Sequence, residues 1–203
     1  MTNDPYCFEG IRVLTNLLDL RTAGALRRFE RTMTELRAGA ALEFADQAQH
    51  LDQAALRGIH RVLFQDVFVW AGVHRTIDIS KGGEPFAPVR ALYDYADRHI
   101  LPVFWRKSAA AGDDQAFATA LAECWGELNA FHPFREGNGR ATQIFVQALA
   151  RRHGRDIDWS KVSREEEIAA AKASFRQDYG LYQELLERAL NSSMFQLCRS
   201  SGS

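Results

Sequence analysis

The stretch FHPFREGNGR, residues 131–140, carries most of the recognisable chemistry of this 203-residue chain. It lies between two segments whose apolar residues recur at helical spacing, so the pattern predicts a helix–loop–helix. Two glycines in it, Gly137 and Gly139, can adopt a positive φ and let a ligand approach the backbone closely. Because they precede a helix, free backbone N–H groups and the positive end of the helix dipole face the loop. The pattern therefore predicts a phosphate site.

The side chains of this loop suit a nucleotide. His132 is the candidate general base, because an imidazole can accept a proton near neutral pH. Glu136 offers the hard oxygen that Mg²⁺ prefers, and Asn138 can donate its amide to a phosphate oxygen. Arg140 falls in the first helical turn, where the dipole disfavours a cation unless an anion lies nearby. The plain alternative is a Gly-Asn-Gly turn between helices with a solvated histidine.

The stretch resembles the signature of the Fic (AMPylation) domain family, His-Pro-Phe-x-Asp/Glu-Gly-Asn-Gly-Arg-x-x-Arg, at every position except the last. Gln143 stands where that signature ends in arginine. The resemblance implies a mainly α fold, a Fic-type helical bundle around the central helix–loop–helix with one β-hairpin flap. It also implies a protein adenylyltransferase that moves AMP from ATP to a Ser, Thr or Tyr hydroxyl of a target protein, with Mg²⁺ held by Glu136. The nucleotide-binding residues it implies are Glu136, Gly137, Asn138, Gly139, Arg140 and Gln143.

Residues 75–88 change from helical spacing to a period of two. An alternating segment is followed by turn residues and then by a proline-flanked run that is compatible only with an edge strand, which predicts a β-hairpin. The resemblance implies that this hairpin is the flap over the active site, which aligns a target segment by strand addition. The alternative is a plain connector. The expected target-docking residues are Ile77, Ile79, Lys81, Gly82, Gly83, Glu84 and Phe86.

Helical spacing elsewhere predicts the supporting helices. One covers residues 22–41, and residues 42–51 are predicted as a short helix or a loop. A second helix begins after Asp52 and stops at Gly72, with His60 interpreted as an interior histidine. A third spans residues 89–105 and is kinked or ended by a proline. The expected inward face of the first helix consists of Leu26, Phe29, Met33, Leu36 and Ala40. Further N-caps are expected at Asp114 and at Ser163, the latter in a capping box. The expected inward face of the helix that leads into the loop consists of Phe117, Leu121, Cys124, Trp125 and Leu128.

Gln143 leaves three consequences open, because a neutral amide holds a phosphate more weakly than arginine does. The enzyme is slow, uses another nucleotide, or is regulated without the arginine. Fic proteins are often restrained by a helix with the motif Ser/Thr-x-x-x-Glu-Gly/Asn. Ser163 and Glu167 have this spacing, but Ile168 follows and Ser163 already serves as a cap. The resemblance therefore implies a stand-alone toxin of a Fic/Doc toxin–antitoxin pair, restrained by a small antitoxin carrying an inhibitory helix.

Other functions remain open beside this one. A protein kinase like the Doc toxins would share the fold, although the loops of those proteins depart from Gly-Asn-Gly. A binding module could keep the pocket and have lost turnover through Gln143. The Fic module of a secreted effector is a further alternative. Type II topoisomerase subunits are implied as targets by the toxin branch alone.

Composition restricts the class of protein. A net charge of −1 gives no basic excess of the kind that direct nucleic-acid binding usually requires. No apolar stretch approaches the length of a membrane span. The three cysteines are odd in number and widely spaced, which argues against a disulfide framework and favours the reducing cytoplasm. We expect one domain over residues 1–190, with the flap at about 75–88, and a disordered polar tail at residues 191–203.

Overall fold

The computed structural model describes residues 4–192, and seven α-helices form most of that part of the chain. They are α1 (Ala23–Gln47), α2 (Gln53–Phe64), α3 (Leu101–Ala110), α4 (Asp114–Phe131), α5 (Asn138–Arg152), α6 (Arg164–Ser174) and α7 (Gly180–Ala189). The strands are short: β1 (Ser80–Lys81), β2 (Glu84–Pro85), β3 (Arg155–Ile157) and β4 (Leu190–Ser192). The predicted mainly α fold with a hairpin is confirmed. Within residues 4–192, no helix is both long and apolar enough to cross a bilayer.

Two antiparallel strand pairs complete the fold. β1 pairs with β2 to form the hairpin, with Ser80 opposite Pro85. β3 pairs with β4, so that Ile157 lies opposite Leu190. The polar tail was predicted to begin at residue 191, whereas the first two residues of that segment belong to β4. The remainder of the predicted tail, residues 193–203, lies outside the described residues.

Helix α4 lies at the centre of the molecule and packs against α3, α5, α6 and α7. The predicted inward face of α4 is confirmed, since Phe117, Leu121, Cys124, Trp125 and Leu128 are all buried. The ring of Trp125 stacks on Tyr182 of α7 with centroids 4.3 Å apart. Helix α5 is enclosed on its other side by α1 and α2. The loop that joins α4 to α5 is therefore supported from both flanks.

Helix α1 differs from its prediction in length and in its buried face. It continues to Gln47, through a segment with no clear pattern, because its alanines favour the helix without marking a face. Leu36 was predicted to face inward but is 71% exposed. Ala40 is exposed as well, against its prediction. Leu26 is buried as predicted, and the other buried residues of α1 are Glu30, Thr34, Ala41 and Ala45. Two of these are polar, and a periodicity that counts only apolar residues cannot find such a face.

The segment predicted as one helix over residues 89–105 is divided. A 3₁₀ turn at Val89–Ala91 is followed by a π-helical turn at Ala96–Ile100 and then by α3. Pro102 lies in the first turn of α3, where its missing N–H costs little, and the change of helical register precedes it. The proline therefore does not end the segment, which continues to Ala110.

The helix caps agree with the sequence in two cases of three. Asp52 accepts a hydrogen bond from the amide of Ala55, and the capping box at Ser163 is complete. The cap of α4 is Asp113 rather than the neighbouring Asp114. Helix α2 ends at Phe64, well before Gly72, although Gly72 has the positive φ of 78° that marks a turn.

Two helical glycines provide a matched test of this packing. A Cβ at Gly39 of α1 would meet open space, whereas one at Gly126 of α4 would overlap the ring of Tyr179. Alanine is about 0.5–1 kcal/mol better than glycine inside a helix, so Gly39→Ala should raise the free energy of unfolding by that amount. Gly126→Ala should lower it by about 1–3 kcal/mol because the site is already filled. Urea denaturation measures both, and equal gains would contradict the packing of α4 described above.

Candidate active site

The loop between α4 and α5 leaves one helix and enters the next through two left-handed residues. His132 caps α4 with φ 44° and ψ 62°, a conformation that is uncommon for a residue other than glycine. Gly137 precedes α5 with φ 82°. The amides of Asn138, Gly139 and Arg140 have no acceptor among the described residues. This helix N-terminus therefore presents free donors, as an anion site requires.

The two glycines of the loop are needed for different structural reasons. A Cβ at Gly137 would overlap the ring of Phe64 in α2, so that ring leaves no room for a side chain at this position. A Cβ at Gly139 would have Glu167 Oε1, 4.0 Å away, as its nearest neighbour. Gly139 is therefore the glycine at which a ligand could approach the backbone, and Gly137 is required by packing and by its positive φ.

The side chain of Asn138 is buried and bonded to the backbone of the loop at both its oxygen and its nitrogen. Its Oδ1 accepts a hydrogen bond from the amide of Phe134 at 2.8 Å, and its Nδ2 donates to the carbonyl of Phe134 at 2.8 Å. This bond occupies one of the two N–H groups of the amide, and the expected donation to a phosphate stays a prediction. The side chain closes the loop on itself, because a buried amide needs partners and Phe134 supplies both.

His132 is held in one tautomer and is half-buried. Its Nδ1 lies 3.0 Å from the carbonyl of Asn129, and a carbonyl can only accept, so Nδ1 carries the proton and Nε2 keeps a lone pair. The ring of Phe86 stacks on it with centroids 3.7 Å apart. Burial lowers the pKa of His132 to about 4; the Asn129 carbonyl opposes this shift, and the charges of Lys81 and Arg75 add to it. The imidazole is therefore neutral at ordinary pH.

Arg140 already has a carboxylate partner. Its guanidinium forms an ion pair with Glu30 of α1 and donates a hydrogen bond to Thr34 Oγ1 at 3.1 Å. It also lies 4.8 Å above the centre of the Phe64 ring. Burial raises the pKa of Glu30 while Arg140 lowers it. Glu30 was not predicted as a partner, because it lies about a hundred residues earlier in the chain, on a helix whose face was inferred from its apolar residues.

Glu136 is the residue that fits a magnesium ion. Its side chain is half exposed, accepts a bond from the amide of Gly137 at 3.0 Å, and lies 4.0 Å from Arg140. Residues 4–192 hold no group of three or more acidic, histidine or cysteine side chains that could bind a metal on their own. Magnesium is usually held by one or two carboxylates together with substrate phosphates. One free carboxylate beside an anion site therefore suits this ion.

Gln143 faces a carboxylate. Its Nε2 donates to Glu167 Oε2 at 2.9 Å, and burial raises the pKa of Glu167. Ser163 and Glu167 have the spacing of the inhibitory motif, but Ile168 follows where that motif has glycine or asparagine. The structure places this carboxylate beside the first turns of α5, while Ser163 serves as the cap that was expected.

Two further residues hold the loop in roles that no local sequence pattern indicates. Arg135, at the variable position of the signature, donates through Nε to Asp4 at 3.0 Å and ties the N-terminal segment to the loop. His60 is interior, as expected, but it also contacts the loop. Its Nδ1 accepts from the amide of Gly72 at 2.9 Å, so its Nε2 donates to the carbonyl of Glu136 at 2.9 Å. Their partners are distant in sequence, and no spacing rule connects them.

The flap contacts the loop through Phe86 at its base, whereas its tip is exposed. Lys81, Gly82, Gly83 and Glu84 form an exposed tip, and both glycines have positive φ. Ile77 and Ile79 are half buried. Phe86 was expected to dock a target but is buried against His132. The docking assignment of Phe86 is therefore corrected, because its ring covers the imidazole instead of facing outward.

With this geometry established, the chain can be compared with known proteins. The family model described as Fic/DOC family matches residues 50–150. The chain is also 36% identical over 176 residues to "Probable protein adenylyltransferase y4lH" of Sinorhizobium fredii, which covers 86% of this chain and 90% of that protein. The chain therefore belongs to the Fic/DOC family, and the expected membership is confirmed.

Two further comparisons show how the chain relates to longer and to solved proteins. It is 34% identical over 189 residues to "Protein adenylyltransferase VbhT" of Bartonella schoenbuchensis, where the match spans 93% of this chain and 39% of that protein. The crystal structure of the BepC protein of Bartonella tribocorum, with bound AMPPNP, superposes with a TM-score of 0.83 at 24% identity. That match covers 93% of this chain and 97% of the other, and it shows a shared fold.

The buried histidines predict how stability depends on pH. Burial lowers the pKa of both His60 and His132 to about 4, whereas an unfolded chain titrates near 6.5. Between these values the unfolded chain binds more protons, so the free energy of unfolding should fall as pH falls from about 6.5 to about 4. His132→Asn should reduce this slope by up to about 1.4 kcal/mol per pH unit. Urea denaturation across the window measures it, with exposed His50→Asn as the control, and an unchanged slope would contradict a neutral buried His132.

Proposed function

We propose that this chain is a protein adenylyltransferase, which moves the AMP moiety of ATP to a Ser, Thr or Tyr hydroxyl of another protein. The observation that carries the proposal is the state of His132. Its Nδ1 is occupied by the carbonyl of Asn129, which leaves Nε2 as the acceptor, and the loop it opens ends in a helix N-terminus with free amides. A base beside an anion site is the arrangement that attack by a hydroxyl on a phosphate needs.

The proposed step transfers one proton and exchanges one bond. Nε2 of His132 accepts the proton of the incoming hydroxyl while the hydroxyl oxygen attacks the α-phosphorus. The bond from that phosphorus to the pyrophosphate oxygen breaks in line, and pyrophosphate leaves. The free amides of Asn138 and Gly139 stabilise the charge on the phosphate oxygens. Glu136 would hold Mg²⁺, which supplies neutralising charge to the phosphates.

Arg140 contributes to this site as a partly neutralised cation. Its ion pair with Glu30 and its position over Phe64 fix the guanidinium beside the loop. A phosphate would compete with the Glu30 carboxylate for the same donors. Burial raises the pKa of the Glu30 carboxyl, and its ion pair with Arg140 opposes that shift.

The relatives support this reaction class. Both curated proteins described above are named as adenylyltransferases, and the BepC structure contains AMPPNP, an ATP analogue. The y4lH match covers most of both chains, so it includes loop and flap together. We take ATP as the proposed nucleotide on this basis.

We further propose that the reaction serves as the toxin activity of a toxin–antitoxin pair. The close match of loop 131–140 to the Fic signature supports this proposal. Ile168 supports it as well, because it follows Glu167 where the usual inhibitory motif has glycine or asparagine, so the chain lacks that motif at this place. A small antitoxin carrying an inhibitory helix would then supply the restraint. Type II topoisomerase subunits remain the proposed protein targets, and the ATP-supplied cytoplasm remains the proposed compartment.

A weakly active or altered-nucleotide protein is the second candidate, and one contact favours it. Gln143 is neutral and is bonded to Glu167, so this side of α5 presents a carboxylate where the family signature has a cation. A carboxylate repels a terminal phosphate, and the amide offers no charge to offset it. A Doc-like protein kinase stays an alternative. It would transfer label from γ-labelled ATP, whereas an adenylyltransferase would transfer label from α-labelled ATP.

His132→Ala should abolish AMP transfer and preserve the fold. Without the base, transfer from α-labelled ATP should fall by at least about 100-fold, while circular dichroism and the denaturation midpoint stay near those of the parent chain. His50→Ala, which changes an exposed ring, is the matched control. Persistent labelling by the His132 variant would reject the base assignment. Transfer of label from γ-labelled ATP in the parent chain would instead identify a kinase.

Gln143→Arg should have its full effect only when Glu167 is neutralised. In the single variant the new guanidinium would pair with Glu167, whereas in Gln143→Arg with Glu167→Gln it is free for a terminal phosphate. A charge-assisted bond contributes about 1.5–3 kcal/mol, so the double variant should bind ATP about tenfold more tightly. Calorimetric titration measures the affinity, and Glu167→Gln alone is the control. Equal affinities in all four chains would show that this face of α5 does not contact the nucleotide.

A further inference from the structure

Arg75 is a deeply buried arginine at the start of the flap segment, with a residue exposure of 1%. A charge in the interior is costly unless partners satisfy it. The carboxylate of Asp78 lies 3.8 Å from Nη1 and is largely exposed, so a close ion pair does not account for the burial. The reason for a buried guanidinium here must lie in its other contacts.

Three backbone carbonyls from three separate segments accept hydrogen bonds from this guanidinium. Nε donates to His132 at 3.0 Å, Nη1 donates to Ile77 at 2.8 Å, and Nη2 donates to Ala87. The first carbonyl belongs to the left-handed residue that opens loop 131–140, and the other two belong to the two sides of the flap. The planar guanidinium has five donors in a fixed fork, which a lysine ammonium cannot reproduce.

The backbone around Arg75 adds to the same junction. The amide of Arg75 donates to the carbonyl of Pro133 at 2.9 Å, and the amide of Ala87 donates to Ala130 at 3.0 Å. Phe86 stacks on the His132 ring. The flap strands β1 and β2 are two residues each, which is too short for a hairpin to be stable alone. The flap therefore depends on its base for a defined position.

We propose that Arg75 is a positioning residue that holds the flap and His132 as one mechanical unit. A target segment aligned along the flap edge would then present its hydroxyl at a fixed place relative to the imidazole. Arg75 makes no hydrogen bond or ion pair with residues 136–140, so its hydrogen bonds reach the site through the flap and the carbonyl of His132. Its charge, which helps to lower the pKa of His132, is retained in Arg75→Lys. The catalytic consequence rests on the proposed function, whereas the mechanical coupling can be measured without any activity.

Amide hydrogen exchange tests the coupling directly. In the parent chain, the amides of Phe86, Ala87 and His132 should exchange through one shared opening, with the same denaturant dependence. In Arg75→Lys these three amides should exchange at least about tenfold faster, while amides in the middle of α5 keep their rates. Arg90→Lys is the matched control, because Arg90 is exposed and lies just after the flap.

Three results would overturn the coupling. Separate openings for the flap and His132 in the parent chain would do so without any variant, which covers the case in which Arg75→Lys does not fold. Faster exchange of only one of the two parts in Arg75→Lys would show that the contacts are independent. A uniform rise in exchange across all helices would show that Arg75 has a general structural role and no specific positioning role.

Steady-state kinetics test the catalytic consequence. Arg75→Lys should lower kcat for AMP transfer about tenfold, while the Kd for AMPPNP changes by less than about twofold. Phe86→Ala removes the other contact between flap and imidazole, so its effect and that of Arg75→Lys should be non-additive. Loss of AMPPNP binding in Arg75→Lys, or strict additivity, would reject the positioning role. A parent chain that transfers no AMP would reject the proposed function and leave the exchange result to decide the coupling.

Discussion

The geometry of loop 131–140 depends on two backbone carbonyls that have no helical partner. The left-handed turn at His132 and the approach to α5 leave the carbonyls of His132 and Glu136 facing other parts of the protein. Arg75 donates to the first at 3.0 Å and His60 donates to the second at 2.9 Å. A buried carbonyl without a donor costs about 1–3 kcal/mol. The conformation of the loop is therefore determined by α2 and by the base of the flap as much as by its own sequence.

The interior of the loop explains why its outer side can remain unpaired. Asn138 satisfies both backbone groups of Phe134, and Phe64 fills the space beside Gly137. With these internal contacts complete, the free amides at the start of α5 are not needed to hold the loop together. They remain as unpaired donors at a rigid helix end. Donors fixed in place in this way can stabilise the charge of a phosphate without rearranging.

Charge around this helix end is more evenly balanced than the motif suggests. Glu30 and Glu167 lie on different helices and bond to Arg140 and Gln143, two residues on the outer face of α5. Burial raises the pKa of both carboxylates, so each holds its charge less firmly than an exposed acid would. A phosphate bound at this helix end would therefore compete with acidic side chains of the same chain for the donors of α5.

The sequence predicted the parts of the site that have a local pattern and missed those that do not. The loop motif, the hairpin and the inward face of α4 follow from spacing within one segment, and the structure bears out the helix–loop–helix, the hairpin and that face. The polar face of α1 could not be found, because Glu30 and Thr34 are buried by contact with Arg140 and not by hydrophobicity. The contacts of Arg75 and His60 with the loop left no signal, since their partners there are backbone carbonyls, which every residue possesses. A side chain that satisfies the backbone gains its role from the path of the chain, so only the folded structure could identify it.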